Sequence, residues 1–290
     1  MRIALVSVAG ALLALGSGWA QPPATSSASA TVPRAAPAGY TLVWADEFDR
    51  AGAPDPANWT YERGFVRNNE LQFYQPQNAT VRHGMLVIEA RRESIANPNH
   101  DPAARDWRRA RASADYTSSS LITRGLQAWQ FGRFELRARI DVRPGLWPAW
   151  WCLGVEGRWP ANGEIDIMEY YRGMLLANVA WASPDGPRPR WDTTLTPLKE
   201  LGDASWAQAF HVWRMDWDKE AIRLYVDDRL LNETRLADTV NPDGSNPFLK
   251  PQYMILNVAV GGDNGGDPGK TEFPSRMEVD WVRVYQRAGG

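Results

Sequence analysis

From Tyr40 to Tyr285 the sequence is a succession of short apolar or alternating runs, with turn residues in nearly every gap between them. The runs are Tyr40 to Trp44, Ala79 to Arg82, Met85 to Ala90, Gly132 to Ile140, Trp150 to Gly154, Glu164 to Tyr170, Leu176 to Ala182, Phe210 to Trp217, Ala221 to Val226, Tyr253 to Val260 and Met277 to Tyr285. Period-two alternation and β-branched enrichment over such lengths are strand signals. Phe210 to Trp217 and Ala221 to Val226, joined by Asp218-Lys-Glu220, read as a hairpin with a three-residue turn. Long amphipathic helical patterns are missing, and only Pro197 to Gln208 offers a short helix. About a dozen strands, few helices and no internal repeat predict an all-β fold, a sandwich of two antiparallel sheets or a jelly roll. Such folds leave one concave sheet face open, and a linear polymer can lie along it as substrate.

The ends of the chain set its compartment. Arg2, an apolar stretch from Ile3 to Leu15, and the small residues Gly18 and Ala20 before Gln21 read as a secretory signal peptide over residues 1–20. The apolar stretch is too short to cross a bilayer core of about 30 Å as a helix. Residues 21–39, rich in Pro, Ala, Ser and Thr, read as a flexible tether, and residues 40–290 as one domain. A secreted or periplasmic monomer with no membrane contact after cleavage is expected. Cys152 is the only cysteine, so no intramolecular disulfide forms, and between Trp151 and Leu153 it reads as a small buried hydrophobe. A formal charge of −2 gives no electrostatic reason to expect nucleic acid or anionic membrane as partner. The 15 tryptophans offer flat apolar faces of the kind that suit sugar rings.

Glu164-Ile165-Asp166-Ile167-Met168-Glu169 sets three carboxylates among β-formers. In a regular strand Glu164 and Asp166 share one side and Glu169 points to the other. A one-residue bulge around Ile167 and Met168 returns Glu169 to their side, and bulges are common beside active sites, so a bulge is expected here. It leaves the α-carbons of Glu164 and Glu169 roughly 13 Å apart, at ~3.3 Å per residue. Long side chains leaning together are compatible with the separation of about 5 to 5.5 Å used by retaining glycosidases, and the spacing alone does not exclude an inverting enzyme. One carboxylate must ionise to attack the anomeric carbon while its partner stays protonated to serve the leaving oxygen. Like charges force their pKa values apart, and Asp166 could hydrogen-bond the nucleophile. A solvated edge is opposed by the flanking Trp159, Ile165, Ile167, Tyr170 and Tyr171, and a metal cluster by the absence of a nearby histidine.

With Trp159-Pro160 and Gly163 ahead of it, this run resembles the signature of glycoside hydrolase family 16. Further blocks in the same order resemble its laminarinase-type branch: Leu42-Val-Trp-Ala-Asp-Glu-Phe48, Asn68-Asn-Glu-Leu-Gln-Phe-Tyr74, Leu86-Val-Ile-Glu-Ala90, Tyr116-Thr-Ser118, Gly145-Leu-Trp-Pro-Ala149, Ile255 to Gly262 and Val279-Asp-Trp-Val-Arg-Val-Tyr285. The resemblance implies a β-jelly roll with a long concave cleft. It implies a retaining endo-β-glycanase, acting on a β-1,3- or β-1,3-1,4-glucan through a covalent glycosyl-enzyme. Glu164 becomes its nucleophile, Asp166 the assistant and Glu169 the acid/base. A galactan hydrolase of agar or porphyran type and a transglycosylase are alternatives. So is a non-catalytic carbohydrate-binding jelly roll, which the three retained acids oppose. The resemblance also implies a structural calcium on main-chain oxygens near Glu47 and Gly84 and on the Asp280 carboxylate, and no cofactor for catalysis.

Two departures fall where substrate should lie. Relatives of this kind carry a histidine on the strand after the acids, where this chain has Leu176-Ala-Asn-Val-Ala-Trp-Ala182, and an arginine soon after Tyr-Thr-Ser, where it has Ser119 and Ser120. Trp159 and Trp181 are the foremost aromatic candidates for the cleft, with Trp147 and Trp151 beside them and Asn69 and Glu70 as polar contacts. Asp263 to Gly269 reads as a Gly-rich cleft loop, lacking the spacing of an EF-hand. The segment from Asn97 to Asp115, rich in Arg, Asp and Ala, reads as a solvated surface loop, with substrate binding as the alternative.

Overall fold

The computed structural model describes residues 36–287 apart from residue 204. The signal peptide and all but the last residues of the tether lie outside these. Alternating strands close two antiparallel sheets over a shared core. Gly132–Arg139 shows how the pattern works: Phe134, Leu136 and Ala138 point inward, while Arg133, Glu135, Arg137 and Arg139 line the outer face. His211–Trp217 beside it alternates in the same way.

One sheet has eight strands. In order they are Arg229–Arg235, Ala221–Val226, His211–Trp217, Gly132–Arg139, Ser275–Arg287, Met85–Ala90 and Ala79–Arg82, with Tyr40–Asp46 also paired to Ser275–Arg287. Arginine–carboxylate pairs cross its outer face, among them Arg133 with Asp216 and Arg139 with Glu278. The other sheet has seven, ordered Pro189–Pro197, Met174–Ala182, Glu164–Tyr171, Leu146–Gly154, Gln252–Val260, Ser120–Ile122 and Thr60–Tyr61. Between the sheets lie Trp150, Ile165, Ile167, Met168, Val179, Trp213, Leu136 and Val282, all fully or almost fully buried. Cys152 is wholly buried in the same core, which pushes its thiol pKa up.

The all-β expectation holds, and so does the hairpin: the Asp218 carboxylate accepts from the amides of Glu220 and Ala221 to close its turn. The short helix expected at Pro197 to Gln208 is two 3-10 turns, Leu198–Glu200 and Trp206–Gln208. Four strands of the two sheets carry no clear signal in the sequence, the short Thr60–Tyr61 and Ser120–Ile122 and two long edge strands. Pro189–Pro197 begins and ends in proline, which only an edge strand tolerates, and Arg229–Arg235 is the polar edge of the other sheet.

Candidate active site

The expected bulge is present. Against Leu146–Gly154, Met168 pairs with Trp150 and Asp166 with Trp151, so Ile167 is the extra residue. Against Met174–Ala182, Glu169 pairs with Leu176 and Asp166 with Asn178. Ile165, Ile167 and Met168 enter the core, which leaves Glu164, Asp166 and Glu169 together on the opposite face.

Register arranges the neighbours in rows across that face. Glu164 lies between Leu153 and Ala180, with Trp191 beyond; Asp166 between Trp151 and Asn178, with Thr193 beyond; Glu169 between Ala149 and Leu176, with Leu195 beyond. All of these but Ala180, together with Arg67, Asn68, Glu70, Trp147, Trp159 and Tyr171, line a cleft of about 670 Å³. Ala180 is small, so the side chain beside Glu164 adds little bulk to the groove there.

Each acid has its own donors. The Trp159 indole donates to Glu164. The Trp147 indole donates to Glu169 Oε1 at 2.7 Å, and Asn178 Nδ2 donates both to Glu169 Oε2 at 3.1 Å and to Asp166 Oδ2 at 3.0 Å. Burial drives the electrostatics of all three. It raises Glu169 to about 8, helped by the Glu164 charge and opposed by the Trp147 and Asn178 hydrogen bonds. Burial, then the charges of Glu164 and Glu169, lift Asp166 well above the carboxylate range. Glu164 is also raised by burial, against the Trp159 hydrogen bond, the Arg67 charge and a hydrogen bond from Asp166. Asp166 and Glu164 share a hydrogen bond, and Glu169 is raised into the range where it holds its proton at neutral pH.

Of the tryptophans expected in the cleft, Trp147, Trp151 and Trp159 line it, and Trp159 is 48% exposed. Trp181 does not. On its strand Leu176, Asn178 and Ala180 share the cleft parity, so Trp181 falls with Leu175, Ala177 and Val179 into the core. Glu70 lines the cleft but is buried, with Gln72 Nε2 donating to it at 2.7 Å. Asn69 turns away: its amide donates to Asp263 at 3.1 Å, and Asn68 lines the cleft in its place. The Gly-rich loop supports this turn, since a β-carbon on Gly262 would meet Asn68 O at 2.6 Å, and Asn264 of that loop reaches the cleft.

Of the cleft residues that sequence reasoning missed, four shape the site most directly: Asn178, Trp191, Leu195 and Arg67. Asn178 was legible as the residue two before Ala180 on the partner strand, but only register places it opposite Asp166. Trp191 and Leu195 sit on the unrecognised edge strand, 43% and 53% exposed. Arg67 pairs with Glu62 and stacks over the Trp151 ring at 4.9 Å. Ser120, one of the two serines noted above, donates to that same Glu62 at 2.7 Å.

The residues named for calcium belong to the eight-stranded side. The Arg137 guanidinium donates to Asp280 at 2.5 Å, Arg283 donates twice to Glu47 at 2.8 and 2.9 Å, and Gly84 makes a turn. Among the described residues no three His, Cys, Asp or Glu gather as metal ligands. Each of the two carboxylates near the implied ion thus holds a guanidinium.

Three carboxyls side by side on the floor of an open groove, across the face of a jelly roll, suit the acid-base and nucleophilic chemistry of glycoside hydrolysis. The sequence profile of glycosyl hydrolases family 16 matches residues 67–283, and the chain belongs to that family. It is 37% identical over 278 residues to a beta-glucanase of Rhodothermus marinus, covering 85% of each chain. The structure matches an endo-acting O-glycanase of the human gut microbiota, a protein that initiates mucin breakdown. That match has a TM-score of 0.80 and 35% identity, over 88% of this chain and 94% of that one. The laminarinase catalytic domain of Thermotoga petrophila RKU-1 matches with a TM-score of 0.71 at 32% identity, over 86% and 99%.

Proposed function

We propose that the chain is an exported, retaining endo-β-glucanase acting on β-1,3- or mixed β-1,3-1,4-glucan, with Glu164 as nucleophile, Asp166 as its hydrogen-bond partner and Glu169 as acid/base. The observation that carries this is the bulge at Ile167, which sets all three acids on one face of an open cleft. The similarity to a beta-glucanase and to a laminarinase supports the substrate, and the leader at residues 1–20 supports export.

The chemistry follows from the charges. Glu169, protonated near neutral pH, gives its proton to the glycosidic oxygen as the bond to the anomeric carbon breaks. Glu164 attacks that carbon. Its ionised form is favoured by the Trp159 indole, Asp166 and the Arg67 charge. Formation of the ester erases the Glu164 charge, which is one of the causes holding Glu169 up. The pKa of Glu169 falls, and the same carboxyl becomes the base that takes a proton from the water attacking the ester. Trp147 and Asn178 hold it in place through both steps.

A second reading, cleavage within a galactose-containing or mucin-type glycan, is favoured by the higher TM-score to the O-glycanase. The test is incubation of wild type and Glu164→Gln with laminarin, lichenan, agarose, porphyran and mucin O-glycans, following product size and anomeric configuration. Retained configuration on laminarin or lichenan is expected, with no turnover by the variant. Cleavage of the galactans or O-glycans alone would select the second reading. An inverted product, or equal activity in the variant, would remove the mechanism.

A further inference from the structure

The charged segment after Asn97 does not lie loose on the surface. A short ribbon, Ile95–Ala96 with Ser113–Ala114, closes its base. Trp107 packs at 5.7 Å on Phe65 within a small cluster with Phe73 and Ala114. Asn97, itself buried, donates to the carbonyls of Arg108 and Arg111, both at 2.8 Å. Arg111 donates to the carbonyls of Asn69 and Glu70, and Arg108 to that of Val66, so the segment is fixed to the loop that walls the cleft.

Between the segment and that loop lies a second recess of about 610 Å³, lined by Arg63, Asn99, His100, Asp106, Arg108 and Arg109 among others. Three arginines and a histidine line it with one aspartate, and a second aspartate, Asp101, pairs with one of the arginines. Asp106 is held by Arg108 at 2.9 Å, and Arg109 reaches Asp101 at 2.8 Å. Arg63 is exposed and makes no ion pair among the described residues. The recess and the cleft are walled by one stretch of chain: Phe65 lines the recess and Arg67, two residues on and at most about 7 Å away along the chain, lines the cleft.

We propose that this recess is a binding site for an anionic substituent, a sulfate ester or a uronate carboxylate, on the glycan that occupies the cleft. Guanidinium groups recognise both anions through paired N–H donors, and Asn99 and His100 add further polar side chains to the lining. The recess rests on the reading of the cleft only for the polymer that carries the anion to it.

The test separates the two. Glucose 6-sulfate and glucuronate, too small to need the cleft, are titrated into wild type and into Arg63→Ser and Arg63→Ser/Arg109→Ser variants, with amide chemical shifts as readout. Thermal melts confirm that the variants are folded. Shifts confined to residues 63–66 and 97–109, an affinity falling with salt, and a loss of about tenfold or more in the double variant are expected, since a charge-assisted hydrogen bond contributes at least that factor. The relative response to the two probes tells sulfate from carboxylate. In parallel, Glu164→Gln protein is titrated with laminarihexaose, its 6-sulfated form and its 6-oxidised form. One of the anionic forms should bind about tenfold tighter than the neutral one, and the advantage should vanish with the two arginines. Absence of binding by both small anions, or an advantage that survives both substitutions, overturns the proposal. Binding of the small anions with no cleavage of any glucan would instead leave the recess standing and sink the reading of the cleft.

Discussion

Replacing Glu169 with glutamine should remove the pH dependence of one large contribution to stability. In the folded protein this carboxyl is raised from 4.5 to about 8, chiefly because it is buried. Its protonated form is therefore the one that folding favours. The favourable contribution is complete below about 4.5, shrinks as the unfolded chain begins to ionise, and is exhausted once pH passes about 8. At about 1.4 kcal/mol per pH unit, the wild type should lose on the order of 5 kcal/mol between pH 4 and pH 9 through this group and the Glu164 charge beside it. A glutamine side chain cannot ionise, so the Glu169→Gln variant escapes that loss. It has a cost of its own, because its NH2 meets the Asn178 amide, which donates to Glu169 at 3.1 Å in the wild type, and an unsatisfied buried donor costs about 1–3 kcal/mol. The variant should then be the less stable protein at pH 4 and the more stable by about 2–4 kcal/mol at pH 9. For a domain of this size each kcal/mol moves Tm by about 2–4 °C, so the gap at pH 9 lies between roughly 4 and 16 °C. Calorimetry of both proteins at pH 4, 6, 7.5 and 9 reads it directly. Melting curves that stay parallel across this range would refute the elevated carboxyl, and with it the assignment of Glu169 as the acid.

Other perturbations separate the remaining roles. Arg67→Met removes a charge that favours ionised Glu164; the acid limb of the kcat/KM profile should move to higher pH while the alkaline limb set by Glu169 stays, and an unmoved acid limb would deny Arg67 that influence. Trp181→Ala should cost about 3–5 kcal/mol in denaturant unfolding, as for other large aromatics in a core. Trp191→Ala should leave stability within about 0.5 kcal/mol but raise KM about 3- to 10-fold; the reverse pattern would exchange core and cleft. Deleting Ile167 should remove the bulge yet keep Glu164, Asp166 and Glu169 on the cleft face, leaving measurable activity in a less stable protein. Deleting Ile165, a regular position, should turn Glu164 into the core and abolish turnover; equal loss from the two deletions in folded protein would sink the parity argument. Calcium at 100 times a hypothetical Kd would add about 2.7 kcal/mol, yet with Arg137 on Asp280 no Tm rise on adding calcium to chelator-treated protein is expected; a rise of about 5 °C or more would show that the guanidinium yields.

Strands that bury one face were legible because alternation survives in single residues, as in Phe134, Leu136 and Ala138. Strands of the cleft sheet were harder. Gln252–Val260 is buried at every position, and Met174–Ala182 at all but its ends, so period two disappears. That loss of contrast produced the error at Trp181: nothing within Leu176 to Ala182 says which parity faces the cleft. The answer lies in pairing, where Asn178 opposite Asp166 fixes it. Pro189–Pro197 was invisible for a different reason. An edge strand carries no requirement for apolar residues, and its Trp191 and Leu195 serve the groove. Arg67 belongs to a loop, and only the fold brings it over Trp151.

The acid motif itself could be decoded because its spacing violates the strand rule in a single way. Glu164, Asp166 and Glu169 stand two and then three residues apart, which no regular strand places on one face. In the ladder, however, their partners Ala180, Asn178 and Leu176 stand two and two apart. The bulge absorbs the extra residue by sending both Ile167 and Met168 into the core. The irregularity therefore serves both layers at once. It gives the core a large apolar side chain it would otherwise lack, and the cleft three carboxyls in one line. Crowding them there also bears on their protonation, since the Glu164 charge raises the proton affinity of both Asp166 and Glu169. A charged neighbour in place of Ala180 or Leu176, the ladder partners of Glu164 and Glu169, would shift those proton affinities without touching any acid.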